Sequence, residues 1–222
     1  MPAFKIGRRR IRFVVRRGSS KYAHIRFNDD MRLEVRLPLG SKVTARELLN
    51  KKRTWIEREV ERLKKRKRVF DGRSLLLRGV PRRLKVVKGK RNWIRVTGRA
   101  IFVGLGDSSD LRQCIKDWMT RKIRGYVMRR VNYYATRLGR NVEDVEVGDS
   151  RRWGYCTRDR KLVFNWQIAA LPRELADYVI LHEVSHISEF NHDRRFRARL
   201  LSLCPDFIER ERSLRDIMLM TS

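Results

Sequence analysis

Cysteine and histidine are scarce in this chain of 222 residues, with three and four respectively. Cys114, Cys156 and Cys204 are odd in number, widely spaced and never arranged as CxxC. That argues against a disulfide framework and a thiolate zinc site, and it suits a reducing compartment. No apolar run approaches the length needed to cross a bilayer; dense segments such as "ADYVIL" are far too short. The start, "MPAFKIGRRRIRFVV", is basic but has no long apolar core and no small-residue cleavage site. No signal peptide and a cytoplasmic location are therefore expected. Neither a G-x-S-x-G elbow nor a Walker A sequence occurs, so serine-hydrolase and P-loop chemistry have no support. Acidic residues are also few: 25 Asp+Glu face 55 Lys+Arg, for a net charge of +30.

What is present begins with that charge. Residues 1–100 carry 33 Lys+Arg against 8 Asp+Glu, whereas residues 101–222 carry 22 against 17. The asymmetry points to a polyanion, such as nucleic acid, meeting the basic N-terminal half; a solvated, Arg-rich surface is the plainer reading. The strongest run is Lys64, Lys65, Arg66, Lys67 and Arg68, candidate phosphate-binding residues. Cations at a helix C-terminus are also favoured by its dipole. The 41% hydrophobic content is ordinary for a folded chain.

Strand and helix periods alternate along the sequence, giving an α+β fold class. "RIRFVVRR" and "MRLEVRL" alternate apolar and charged residues as strands do. Thr44 and Glu47 form a capping box that opens one helix over about 44–67. Residues 74–103 return to strand pattern, and a long helix is expected over about 109–138. Gly104 and Gly106 before it resemble a phosphate loop weakly; Asp107 would repel phosphate, which favours a helix cap. Short strands follow from 142. Pro172 then opens a helix to about Phe190, with further helices over 193–203 and after Pro205. This divides the chain into a basic strand-rich region, 1–105, and a catalytic region, 106–222, with no membrane association and no indication of oligomeric state.

Three of the four histidines lie in "VILHEVSHISEFNH". His182 and His186, four apart on one helix, share a face and can share an ion. Glu183 sits about 100° round from His182, where it would flank a metal and accept a proton from its water. A straight helix would carry His192 to the opposite side, so the helix must end first; Asn191 is the expected left-handed stop. Three protein ligands with a fourth position open is the arrangement of catalytic rather than structural zinc. One zinc per chain is the expected cofactor, although three imidazoles suit several divalent ions. The chemistry is then hydrolysis by an activated water. A peptide or protein is the expected substrate, and a nucleotide phosphoanhydride is the first alternative. The second is a nucleic-acid-associated protease, or a nucleic-acid-binding protein whose metal site is secondary.

The spacing HExxHxxxxxH equals that of the metzincins, but Glu189 stands where they have glycine, and no Met-turn follows. The longer run "RRWGYC…LVFNWQIAALPRELADYVILHEVSHISEFNH…F", with "KKRTWIERE" earlier, resembles the YgjP-like metallopeptidase family, distant kin of SprT-like zincins. The resemblance implies a zincin-like catalytic domain: a long backing helix, a small sheet and an HExxH active-site helix. It implies zinc at His182, His186 and His192, with Glu183 as catalytic base. Tyr155 replaces a small residue of the family's "RWGSC", and Arg197 follows Phe196 where Trp is common. Tyr155 is also a candidate donor to a developing oxyanion. Arg152, Trp153 and Asn165 match family positions and are expected to be structural, as is Cys156 in the core.

Overall fold

The alternating segments near the N-terminus pair into a four-stranded sheet in the computed structural model, which describes residues 2–7, 9–27 and 32–220, apart from the side chains of Lys64 and Lys65. Its strands are β1 (Ala3–Ile6), β2 (Arg9–Gly18), β3 (His24–Phe27) and β4 (Leu33–Pro38), in the order β1-β2-β4-β3. Strands β2 and β4 run parallel, Phe13 opposite Leu33 and Val15 opposite Val35. Leu33, Val35 and Leu37 are buried together with Phe4 and Phe13, as period-2 patterning requires. The helix expected over 44–67 opens on the Thr44–Glu47 capping box. It is divided at Lys52 into α1 (Ala45–Lys51) and α2 (Arg53–Lys65), because Lys52 (φ −101°, ψ 13°) leaves helical geometry. Leu48, Leu49, Ile56 and Val60 complete this core. Glu34 is buried on the sheet beneath Arg16, Arg26 and Arg36, all of which reach its carboxylate.

Residues 1–66 form one compact unit and 67–222 a second. Residue 105, where the sequence reading divides the chain, closes a strand inside the second unit. That unit begins with β5 (Lys67–Arg68), which pairs with β13 (Ile217–Met218) near the C-terminus. The basic run is thus split: α2 ends at Lys65, the side chains of Lys64 and Lys65 lie outside the described set, and Lys67 and Arg68 are strand residues. A second four-stranded sheet follows, β6 (Ser74–Leu77), β7 (Val80–Lys88), β8 (Trp93–Val96) and β9 (Ala100–Leu105), ordered β6-β7-β9-β8. Gly104 is a residue of β9 rather than of a phosphate loop.

Helix α3 (Leu111–Arg137) is capped by the Asp110 side chain on the Gln113 amide. It buries Ile115, Met119, Val127 and Val131. Then come β10 (Asp144–Gly148), β11 (Gly154–Cys156) and β12 (Lys161–Asn165), a sheet ordered β10-β12-β11, and a 3₁₀ turn, Trp166–Ala170. Helix α4 spans Arg173–Ser185, α5 Arg194–Leu203 and α6 Phe207–Leu214. Asp177 on α4 receives hydrogen bonds from the Tyr126 hydroxyl and from Arg130 Nε at 2.8 Å, and Arg130 also reaches the Tyr134 hydroxyl at 2.6 Å. This network fastens α4 to α3, a role that the sequence did not reveal for Asp177. The turn at Gly79 (φ +79°) leans on Pro172 at the start of α4, and its amide donates to Ala170 O at 2.7 Å. Among the described residues no helix is long and apolar enough to cross a membrane.

Candidate metal centre

Helix α4 is apolar on most sides, through Leu175, Val179, Ile180, Leu181 and Val184, so its polar residues stand out. It ends five residues earlier than the sequence suggested. His186 is already the C-cap, and the chain leaves through tight bonds: His186 N to Glu183 O (3.2 Å), Ile187 N to Val184 O (3.1 Å) and Ser188 N to Ser185 O (3.3 Å). Asn191 is not the left-handed stop, since Arg78 and Arg160 alone have positive φ among the described non-glycine residues. The exit needs no left-handed residue, and this is why Glu189 can stand where the metzincins carry glycine. An arginine holds the loop instead. Arg199 on α5 donates to Ser188 Oγ at 2.8 Å and pairs with Glu189 Oε1 at 3.4 Å. Asp193 caps α5 through the Arg195 and Phe196 amides, fixing the residue that follows His192.

The result is a triangle. His182 Nε2 lies 3.3 Å from His186 Nε2 and 3.0 Å from His192 Nε2. One donor atom from each of the three residues falls within 4.8 Å of the others. Nitrogens about 2.0–2.1 Å from one tetrahedral zinc stand about 3.3 Å apart, so the set fits a single ion. His186 Nδ1 lies 2.9 Å from Glu189 O, and a carbonyl only accepts, so this nitrogen carries the proton and Nε2 keeps its lone pair. Burial, then the neighbouring His186 and His192, push His182 down to about 3. Burial also lowers His186, against the Glu189 carbonyl, which opposes it. At neutral pH these two imidazoles are uncharged, the form a cation needs. Phe196 is the floor of the site: its ring centroid lies 5.0, 4.6 and 4.7 Å from those of His182, His186 and His192.

Glu183 is buried beside this cluster. Burial lifts its carboxyl to about 7, and the Arg152 charge opposes the rise. Gly154 on β11 admits it: a Cβ at that position would meet Glu183 Cγ at 2.9 Å. Strand alternation therefore turns Gly154 toward α4 and Tyr155 the other way. Tyr155 stands opposite Val163 in the ladder and is 37% exposed. Cys156 is half-buried, and burial, then Glu183, push its thiol up to about 11, which keeps it protonated. Asn165 is structural as expected, with its Oδ1 accepting from the Gln167 amide and its Nδ2 donating to Ser150 O. A cavity of about 410 Å³ opens beside His182 and His192, walled in part by Leu200, Phe207 and Ile208, with Arg197 and Glu211 also lining it. Sequence reasoning missed Arg199 and the contact at Gly154, and it placed Phe196 in the family run without its role beneath the histidines. The signals for α5 were the helix expected over 193–203 and the phenylalanine that closes the family run.

A mixed α+β chain in which the HExxH segment and the loop after it bring three imidazoles around one point belongs to the class of candidate metal-dependent enzymes. The family model described as YgjP-like, metallopeptidase domain, matches residues 21–217. The chain belongs to the YgjP-like metallopeptidase family. No curated protein and no solved structure matches it.

Proposed function

We propose that the protein is a zinc-dependent peptidase in which His182, His186 and His192 hold one zinc per chain and Glu183 is the general base. The observation that supports it most is the triangle of Nε2 atoms, with a buried carboxylate one residue along from its central member. A bound divalent cation would acidify a coordinated water and polarise the scissile carbonyl. The chain's own residues supply the rest. Glu183 accepts the proton of the attacking water and delivers it to the leaving amine. Its burial keeps that proton within reach of substrate rather than bulk solvent. The cavity beside His182 and His192 is apolar enough to take a hydrophobic side chain of the substrate. All these residues lie within 106–222, the region the sequence assigns to catalysis.

The test is Glu183→Gln, assayed on an unfolded protein substrate and on nucleoside triphosphates, with metal content measured in parallel. The variant should keep one zinc per chain and lose about 10²–10⁴-fold in peptide-bond cleavage. Full turnover in the variant would refute the role of Glu183, and release of diphosphate without peptides would transfer the site to phosphoanhydrides.

A further inference from the structure

The sheet β6–β9 has one face in the core and one outside it. Leu84, Ile94, Ile101, Val103 and Leu105 belong to the core or pack against it. The pleat sends Arg83, Lys85, Trp93, Arg95 and Phe102 to the opposite face. Phe102, on the inner strand β9, stands directly opposite Lys85 on β7 and Arg95 on β8. Lys85 Nζ lies 5.2 Å from the Phe102 ring centroid. Trp93 stands opposite Gly104, and a Cβ at Gly104 would fall on the indole, so the indole lies against bare backbone. Trp93 remains 40% exposed, and neither it nor Phe102 is part of either hydrophobic core. The two rings occupy diagonal positions on adjacent strands, where backbones are about 7–8 Å apart.

The charge on this sheet is of one sign. Residues 74–105 contain nine Lys+Arg and no Asp or Glu. Arg83, Lys85 and Arg95 have no acidic partner among the described residues. Two aromatic rings flanked by cations without acidic partners among the described residues match a ligand with planar groups at intervals along a polyanionic backbone. A duplex buries its base faces, and an acidic peptide would leave the rings without planar partners. We propose that this face binds a single-stranded polynucleotide, with bases stacked on Trp93 and Phe102 and phosphates held by Arg83, Lys85 and Arg95. The site is separate from the proposed catalytic residues and does not depend on them.

The whole 222-residue chain would be titrated, by fluorescence anisotropy, into short labelled oligouridine and oligothymidine strands and a duplex of equal length. Stacking and phosphate contacts do not read the sugar, so both strands should bind more tightly than the duplex. Trp93→Ala and Phe102→Ala should each weaken strand binding by about fivefold to a hundredfold, and Trp93→Phe much less. Gly104→Val, which removes the seat of the indole, should act like Trp93→Ala. Replacing Arg83, Lys85 and Arg95 together by Ala should reduce the log–log salt slope by about 2, at about 0.7 per phosphate. Unchanged affinity in both aromatic variants, equal binding of duplex, or equal competition by polyglutamate would each overturn the proposal.

Discussion

Gly154→Ala isolates the fit between β11 and the helix that carries Glu183. Gly154 does not have the positive φ that would demand glycine, so the added methyl acts through space alone. It would meet Glu183 Cγ at 2.9 Å, Phe164 Cδ1 at 3.1 Å and Val163 O at 3.3 Å. Unstrained carbons approach to about 3.5–4.0 Å, so β11 and Glu183 must separate by about 0.6–1 Å. Phe164 is fully buried and Val163 O is backbone, which leaves the Glu183 side chain as the part that yields. Overpacking of this kind costs about 1–3 kcal/mol. In a unit of this size that lowers Tm by about 2–4 °C per kcal/mol. The larger effect should be on rate, because a general base displaced by about 1 Å can lose about 10²-fold. The histidines are not among the nearest atoms the methyl meets, so zinc affinity should stay close to wild type. The assay is peptidase turnover at saturating zinc, with a competitive zinc titration and a thermal melt of the same samples. Wild-type turnover in Gly154→Ala, or loss of zinc in step with activity, would refute the reasoning.

Arg199→Ala should raise the zinc dissociation constant by about 10–100-fold, because Arg199 steadies the loop whose Glu189 carbonyl orients His186; an unchanged constant in a chelator competition would show that the loop holds itself. Burial alone would raise the Glu34 carboxyl, but Arg26 and Arg36 outweigh it and hold it below its ordinary value. A lowered folded pKa stabilises above the unfolded value of about 4.3 and is lost as pH falls through the folded one. Glu34→Gln should therefore cost about 1 kcal/mol at neutral pH and flatten the acid limb of the stability profile; parallel profiles for variant and wild type, followed by thermal melts from pH 7 to pH 3, would contradict it.

The sequence by itself determined the local chemistry. Helical period places His182 and His186 on one face and Glu183 to the side, whatever the rest of the chain does. The Thr44–Glu47 box, the Asp193 cap and the alternation of β4 are likewise signals within a few residues of where they act. The tertiary structure decided what depends on distant partners. Where α4 stops is set by the tight turn after Ser185 and by Arg199, on a different helix; no residue of "ISEFN" announces it. The parallel pairings β2–β4, β7–β9 and β10–β12 join segments whose patterns say only that they are strands. Gly104 reads as a weak phosphate-loop glycine and Gly154 as one position of a family run until Trp93 and Glu183 are seen lying where a side chain would be. Periodicity is written in neighbours, whereas close approach is written in space, so the HExxH motif was legible and the surfaces that seat it were not.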